Sequence, residues 1–328
     1  MNGDAGNQRF RLRVRYVKQG RLAYLGHLEL MHSVERIIRR AGLPYAVTQG
    51  FSPRMKAAFT TALPVGTAST CEYYDVFLTD LVPAPEALAR LRAAAPADLM
   101  PDAAAYVDLR APALTAQITR VGYRVELFSA AGDGGAGGPS AGGAEGAGLC
   151  AAAVERALAR VRAAGPIAFQ RGAKRKTLDL ERFLMGARVA DGCDGAGAPC
   201  VLLDLDTRTT NDGSLRPEVL LAAIDRALRG TTPEEEPIES TGVQRYGSFA
   251  RVTICRSFQA VELEDGALAD PLPAPADGPA PPVCARSEGP CVSEGRGPNR
   301  GSTAIGSGPI PDPAKGGHGG GGAALGMV

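Results

Sequence analysis

Residues Arg9 to Lys18 alternate between cationic and apolar side chains, and this alternation is the strongest constraint that the sequence places on its fold. The two sets take opposite faces: Phe10, Leu12, Val14 and Tyr16 on one, Arg9, Arg11, Arg13 and Arg15 on the other. A period of two predicts a half-buried strand. Because neighbouring arginines repel one another, they need a negative partner, either Glu72 and Asp75 on a later strand or a nucleic-acid backbone.

An amphipathic helix is predicted over residues 28–41. Apolar side chains share one arc of the helical wheel and arginines occupy the other side: Leu30, Val34, Ile37, Ile38 and Ala41 against Arg36, Arg39 and Arg40. Gly42 and Pro44 indicate its end. The following loop, residues 49–56, combines glycine, proline, an aromatic ring and two cations, which is typical either of a solvated turn or of a surface that contacts an anion.

The remaining segments repeat one order of elements. Strand-like residues 57–63, 72–78 and 106–109, with a helix at 85–95, complete β-α-β-β-α-β, the order of a ferredoxin-like domain. A second round has helices at 150–162 and 216–228 and strands at 118–128, 167–171, 200–207 and 238–246. The predicted fold class is therefore α+β, with two tandem ferredoxin-like domains.

The predicted domains are residues 9–112, which include the basic loop, and residues 113–258. Residues 130–148 are of low complexity and predict a glycine-rich insertion in the second domain. Residues 264–328 are dominated by Pro, Gly, Ala and Ser, which cannot bury a core, and they predict a disordered tail.

Charge is segregated along the chain. Residues 1–60 contain eleven Lys or Arg and three Asp or Glu, whereas all 328 residues together have a formal net charge of only +1. The first segment therefore suits a partner with phosphates or carboxylates, although a basic face also keeps a protein soluble. No apolar run approaches the length of a membrane span and the first residues lack the apolar core of a signal peptide, so we expect a cytoplasmic protein without a membrane partner.

The sequence offers few groups for catalysis. Its seven cysteines are scattered without a CxxC pair, which predicts reduced thiols, and it contains no motif for a radical iron–sulfur cluster, P-loop, nucleophile elbow or zinc protease. We therefore expect no metal and no cofactor. His27, at the start of the first helix, is the one candidate catalytic residue, as a general acid/base or phosphate donor, and its alternative role is a partly buried histidine that bonds the backbone.

Basic side chains near aromatic rings are the candidates for RNA binding, since single-stranded RNA sites combine cations with stacking surfaces. One group lies in the loop after the first helix, a second at a predicted turn around residue 172, and a third near the last predicted helix and strand. The candidates are Phe51, Arg54, Lys56, Arg171, Lys174, Arg175, Lys176, Arg216, Arg245 and Tyr246. Ordinary solvated turns and element ends are the alternative interpretation.

Six segments together resemble the uncharacterised radical SAM-linked protein family, bacterial proteins encoded beside, or fused to, a radical SAM enzyme. They are GHLELMHSVERIIRRAGLPYAVTQGFSPRMK, LPVGTASTCEYYDVFL, YRVEL, KRKTLDLERFL, RPEVLLAAI and RYGSF. The resemblance covers about residues 9–256. It departs from the family at Gly26, where members tend to have serine, and at Ser52-Pro53-Arg54, where they tend to have Asn-Pro-His or Asn-Pro-Arg. The resemblance implies a radical SAM enzyme as partner.

Three functions fit these observations. The first is a non-catalytic accessory protein that binds tRNA or rRNA and presents it to a radical SAM enzyme. The second is a metal-independent endoribonuclease that uses His27, similar in fold to the repeat-associated RNA-processing enzymes. The third is a protein–protein adaptor that binds the radical SAM enzyme through the Arg9 to Arg15 face and contacts no RNA.

Overall fold

The alternating segment forms strand β1 (Phe10–Lys18) and the amphipathic segment forms helix α1 (His27–Arg40). They belong to a mixed α+β structure, a computed structural model that describes residues 9–129, 149–210, 212–232, 238–240 and 244–273. The first half continues with β2 (Ala57–Phe59), β3 (Ala68–Leu78), α2 (Ala84–Ala94) and β4 (Pro101–Val107). Its strands lie in the order β4-β1-β3-β2, and all neighbours are antiparallel.

The second half starts with the short helix α3, and its strands belong to two sheets. Its elements are α3 (Leu114–Gln117), β5 (Arg120–Ser129), α4 (Ala151–Ala163), β6 (Ile167–Arg171), β7 (Lys174–Leu178), α5 (Leu180–Phe183), β8 (Leu184–Cys193), β9 (Pro199–Thr210), β10 (Gly213–Ser214), α6 (Pro217–Arg229), β11 (Ile238–Glu239), β12 (Phe249–Glu262) and β13 (Leu268–Ala269). Four of these strands lie antiparallel in the order β8-β9-β5-β12. Strands β6, β7 and β11 form a separate three-stranded sheet.

One large sheet joins the two halves, because β12 pairs in parallel with the start of β3. On the first half, α1 packs on this sheet through Val34 and Ile38, which contribute to one core with Leu12 and Val14 of β1. Each of these four side chains is almost fully buried, and burial of an aliphatic side chain contributes about 1.5–3 kcal/mol. A second core lies in the other half, between its part of the sheet and the helices α4 and α6.

The arginine face of β1 is covered, which decides between the two partners that the sequence left open. Arg11 and Arg13 both bind the carboxylate of Asp75, at 2.6 Å and 2.8 Å, and all three side chains are buried. Arg15 binds Asp102 and Asp270. The partner of Arg11 and Arg13 is therefore the carboxylate of Asp75 on the neighbouring strand. These two side chains lie at the centre of the Arg9 to Arg15 face, which was predicted as an adaptor surface, and both are buried.

Segments from outside the first half complete this cover. The Ala111 and Pro112 carbonyls accept hydrogen bonds from Arg11, and the Gln117 side chain accepts one from Arg13. The two carbonyls lie in the connection between the halves, and Gln117 is the last residue of α3. The Pro271 carbonyl accepts a further bond from Arg13, at 2.7 Å.

Two predicted strands of the second half differ from the structure. The segment 167–171 is a strand, but it lies in the small sheet, and β8 takes the predicted place beside β9. Strand β8 escaped prediction because it is an edge strand with few buried side chains and two internal glycines, so it lacks a clear period. The last strand of the large sheet is β12, whereas the predicted strand 238–246 retains only the two residues of β11.

The chain stays packed beyond residue 264, where the predicted tail begins. Strand β13 pairs with β12, Leu272 is buried, and Asp270 and Pro271 bind the arginines of β1. These contacts supply the burial that the composition of the tail did not suggest. The glycine-rich stretch 130–148 and residues 274–328 lie outside the described residues. None of the helices in the described ranges has the length and apolar character needed to cross a membrane.

Removal of the central carboxylate should destabilise the fold. Asp75→Asn leaves Arg11 and Arg13 buried without a counter-charge, and loss of one partner of a buried pair costs about 3–5 kcal/mol. Urea unfolding followed by circular dichroism measures this loss. Glu86→Gln, which removes an exposed partner of Arg90 on α2, is the control and should change the unfolding free energy little. Equal stability of the two variants would contradict the central role of Asp75.

Candidate nucleic-acid interface

A cavity of about 920 Å³ lies between the two halves, next to the start of β3. One wall belongs to the first half and consists of Tyr24 and residues 61–67. The other belongs to the second half and consists of Arg171 on the β6–β7 hairpin, the start of α6 and side chains from residues 244–254. Its volume falls within the range of ligand sites in proteins.

Four arginines line the cavity, and they differ in how they are held. Arg251 binds Asp194 at 2.9 Å, and Arg216 belongs to a polar network at the start of α6. Arg171 and Arg245 are exposed, and in the described part of the chain neither makes an ion pair with a carboxylate. These two side chains are therefore available to an anionic ligand.

The network at the start of α6 places a carboxylate and a hydroxyl among these cations. Pro217 occupies the first turn of α6, where the missing N–H is tolerated, and this leaves Arg216 and Glu218 at the cavity. Arg216 Nη1 lies 3.4 Å from both Glu218 Oε1 and Ser240 Oγ, and Ser240 Oγ donates to Glu218 Oε1 at 3.1 Å. The three groups fix one another's orientation.

Aromatic rings line the same wall. Tyr246 and Phe249 lie 5.5 Å apart between ring centroids, and the segment that carries them is bound to α6 because the backbone N–H of Ser248 donates to Asp225 at 2.7 Å. Burial raises the pKa of Tyr246 above its ordinary value, and the carboxylates of Glu218 and Asp225 raise this pKa further. The Tyr246 hydroxyl is therefore neutral, and able to donate, at physiological pH.

The β6–β7 hairpin presents the second predicted basic group. Gly172 adopts φ 58° in its two-residue turn, a conformation that favours glycine, and buried Phe169 and Leu178 anchor its base. The cations that it exposes are Arg171, Lys174, Arg175 and Lys176. Only Arg171 lines the cavity. Lysine and arginine on an edge strand also discourage pairing with other chains, which is the structural explanation for this group.

The opposite wall contains a ring that the sequence did not single out. Tyr24 is 68% exposed and belongs to a 3-10 turn, Gly20–Tyr24. The backbone N–H of Gly66 donates to the Ala23 carbonyl at 3.1 Å, and the Tyr24 ring lies against Gly66. The turn and the loop therefore hold the ring at the cavity. Tyr24 was not predicted because it lies outside both the alternating pattern of the first strand and the apolar arc of the first helix. Glu218 and Ser240 were not predicted because only the fold brings them together.

The basic loop of the first half lies away from this cavity. Phe51 is fully exposed, Arg54 is exposed, and the Lys56 ammonium lies 4.4 Å from the centroid of the Phe77 ring. The loop is held at the far end of β3, since the backbone N–H of Phe77 donates to the Lys56 carbonyl. None of Phe51, Arg54 and Lys56 lines the cavity, but Lys56 precedes the cavity residue Thr61 by only five positions, which limits the distance between them to about 18 Å.

His27 occupies the first position of α1 and is half-buried. Its ring packs edge-on against the ring of Phe59, with centroids 6.2 Å apart. The helix start is completed by Glu29, whose side chain accepts a hydrogen bond from the backbone N–H of Gly26 at 2.8 Å. His27 does not line the cavity, and within the described residues no carboxylate orients its ring. The packing on Phe59 favours a structural role.

The polar network predicts how the phenol of Tyr246 responds to a mutation. Glu218→Gln removes a negative charge that opposes phenolate formation, so the pKa of Tyr246 should fall but stay above its ordinary value, because burial is the larger cause. Phenolate absorbance during an alkaline titration measures this pKa by comparison with the same protein carrying Tyr246→Phe. Glu239→Gln, an exposed carboxylate on β11, is the control. An unchanged pKa of Tyr246 in the Glu218→Gln protein would contradict the influence of the Glu218 carboxylate on this phenol.

Comparisons with known proteins identify a family without a known function. No curated protein matches the chain. A solved structure, the crystal structure of an unknown protein from Galdieria sulphuraria, is 12% identical, with a match that covers 70% of this chain and 94% of that chain; its TM-score of 0.20 carries no argument about fold or function. Residues 11–217 match the model of a family described as an uncharacterized protein conserved in bacteria (DUF2344). The chain belongs to this family.

Proposed function

We propose that the protein binds RNA, tRNA or rRNA, through the cavity and the adjoining β6–β7 hairpin. The observation that carries this proposal is that Arg171, Arg216, Arg245 and Tyr246, distant from one another in sequence, line one cavity. Phosphates are the ligands that such cations bind most readily, and aromatic rings beside them stack on bases. On this proposal, the protein acts in the cytoplasm, where these RNAs are found.

The charge balance of the cavity supports an anionic ligand. Most arginines of the large sheet are neutralised within the protein, as Arg120 is by Asp206 and Glu262. Arg171 and Arg245 differ, because in the described ranges no carboxylate neutralises them although both face the same cavity. Cations that share a cavity repel one another until a ligand supplies the opposite charge.

We further propose that the two halves are tandem ferredoxin-like domains. Each half has the element order β-α-β-β-α-β if β6, β7 and α5 before β8, and the two-residue strands β10 and β11, are regarded as insertions. The strand orders β4-β1-β3-β2 and β12-β5-β9-β8 correspond position by position. On this proposal the basic loop and the β6–β7 hairpin are equivalent, since each follows the first helix of its half and precedes the second strand.

The proposed biological role is that of an accessory protein, which presents the bound RNA to a radical SAM enzyme. It rests on the resemblance of the segments between residues 9 and 256 to radical SAM-linked proteins. The structure describes no cluster of cysteines and histidines able to hold a metal ion. An accessory role therefore assigns the iron–sulfur cluster and the radical chemistry to the partner.

The accessory role predicts a complex between the two proteins. Co-expressed with a radical SAM enzyme encoded beside its gene, the tagged protein should retain that enzyme after nuclease treatment. An unrelated radical SAM enzyme from the same genome is the control. Equal retention of both enzymes, or of neither, would contradict the role without affecting the proposal of RNA binding.

RNA binding predicts a steep dependence of affinity on salt. Filter binding with tRNA should give an affinity that falls with salt concentration, and Arg171→Ala combined with Arg245→Ala should weaken binding and reduce the slope of log affinity against log salt by roughly 1–2, about one for each lost phosphate contact. Arg36→Ala combined with Arg40→Ala, which removes two exposed cations of α1, is the matched control. Absence of RNA retention at low salt, or equal effects of the two pairs, would refute binding at the cavity.

A further inference from the structure

Glu218 is an unexpected neighbour for a site that binds only phosphate. Its side chain is 14% exposed and lines the cavity that Arg171 and Arg245 also line. A carboxylate repels a purely anionic ligand, yet it accepts hydrogen bonds well from an amino group. The cavity is therefore matched to a ligand that carries both a phosphate and a hydrogen-bond donor.

The Glu218 carboxylate is held ready for such a donor. Ser240 is buried and donates to Glu218 Oε1, and Arg216 contacts the same oxygen. Among the described residues, no hydrogen bond occupies the other carboxylate oxygen, Oε2. That oxygen is free to accept a bond from a ligand.

The facing wall offers a stacking surface. Tyr24 is held against Gly66 and keeps 68% of its surface exposed, so one side of its ring is backed by the protein and the other is open. Exposed aromatic side chains of this kind stack on bases that have left a helix. Tyr24 belongs to the first half and Glu218 to the second, and both line the same cavity.

We propose that the cavity takes up one unstacked nucleotide of the bound RNA. The base stacks on Tyr24, an exocyclic amino group such as that of adenine or cytosine donates to Glu218, and Arg171 and Arg245 bind the adjoining phosphates. This inference rests on the proposed RNA binding and adds the unit that is recognised. It implies that an unpaired nucleotide is required for full affinity.

The test compares three RNA ligands with wild-type protein and two substitutions of Tyr24. The ligands are a fully paired RNA duplex, the same duplex with one unpaired adenosine, and the same duplex with one unpaired uridine. The bulged adenosine duplex should bind more tightly than the paired one, and Tyr24→Leu should weaken only the bulged complexes, by roughly 5- to 100-fold, whereas Tyr24→Phe should retain them. Leu28→Ala, an exposed apolar residue outside the cavity, is the control.

A separate substitution tests which base the cavity prefers. Glu218→Gln should reduce the preference for unpaired adenosine over unpaired uridine, because the amide supplies a donor where the carboxylate only accepts. Free adenosine monophosphate, added in excess, should compete with the bulged duplex if the cavity recognises the nucleotide itself. The thermal unfolding of each variant, followed by circular dichroism, separates a lost contact from a lost fold.

The outcomes separate this inference from the function on which it rests. If wild type binds all three ligands equally and Tyr24→Leu binds like wild type, the nucleotide site is refuted while RNA binding stands. If no ligand binds at low salt, RNA binding itself is refuted. A preference for the bulged duplexes that Tyr24→Leu leaves unchanged would also overturn the proposed stacking.

Discussion

The pairing of Asp75 with Arg11 and Arg13 is the interaction on which the arrangement of the molecule depends. One carboxylate cannot neutralise two buried guanidinium groups, and the excess charge is stabilised by carbonyl oxygens from outside the first half. These carbonyls belong to the connection between the halves and to the segment after β13. Because a buried charge that loses its acceptors is costly, both segments are held against the sheet. The relative position of the two halves is thereby coupled to one ionic cluster.

A second buried pair lies where the two halves of the large sheet join. Arg256 of β12 binds Glu72 of β3 at 3.0 Å, and both side chains are about 3% exposed. Burial disfavours the charged form of Arg256 and is the largest single influence on its pKa, but the Glu72 carboxylate and Tyr123 together outweigh it, so the pKa of Arg256 is raised. Arg256 also donates to the Thr61 carbonyl, and Thr61 lines the cavity. Such pairs specify one arrangement more than they add stability, and here the specified arrangement includes the first wall of the cavity.

The sequence predicts local features of this structure well, because they depend on short-range periods. The alternation in β1 and the apolar arc of α1 each describe one buried face, and both elements form as expected. The groups that cover the other face of β1 are brought there by the tertiary structure, since Asp75, Gln117 and Pro271 are far away in sequence. The cavity is hidden for the same reason: the basic candidates were visible as residue types, but their meeting with Tyr24 and Glu218 follows from the join between β3 and β12.

The two predicted basic groups are unequal in the fold, and this limits what a ligand can be. Arg171 lines the cavity, whereas Arg54 and Lys56 do not. A single nucleotide bound in the cavity does not contact the loop, so an RNA ligand that contacts both must be longer than one nucleotide. A ligand confined to the cavity would leave Phe51, Arg54 and Lys56 exposed for a separate partner. The size of the smallest RNA that protects both regions from chemical modification therefore distinguishes one extended interface from two independent ones.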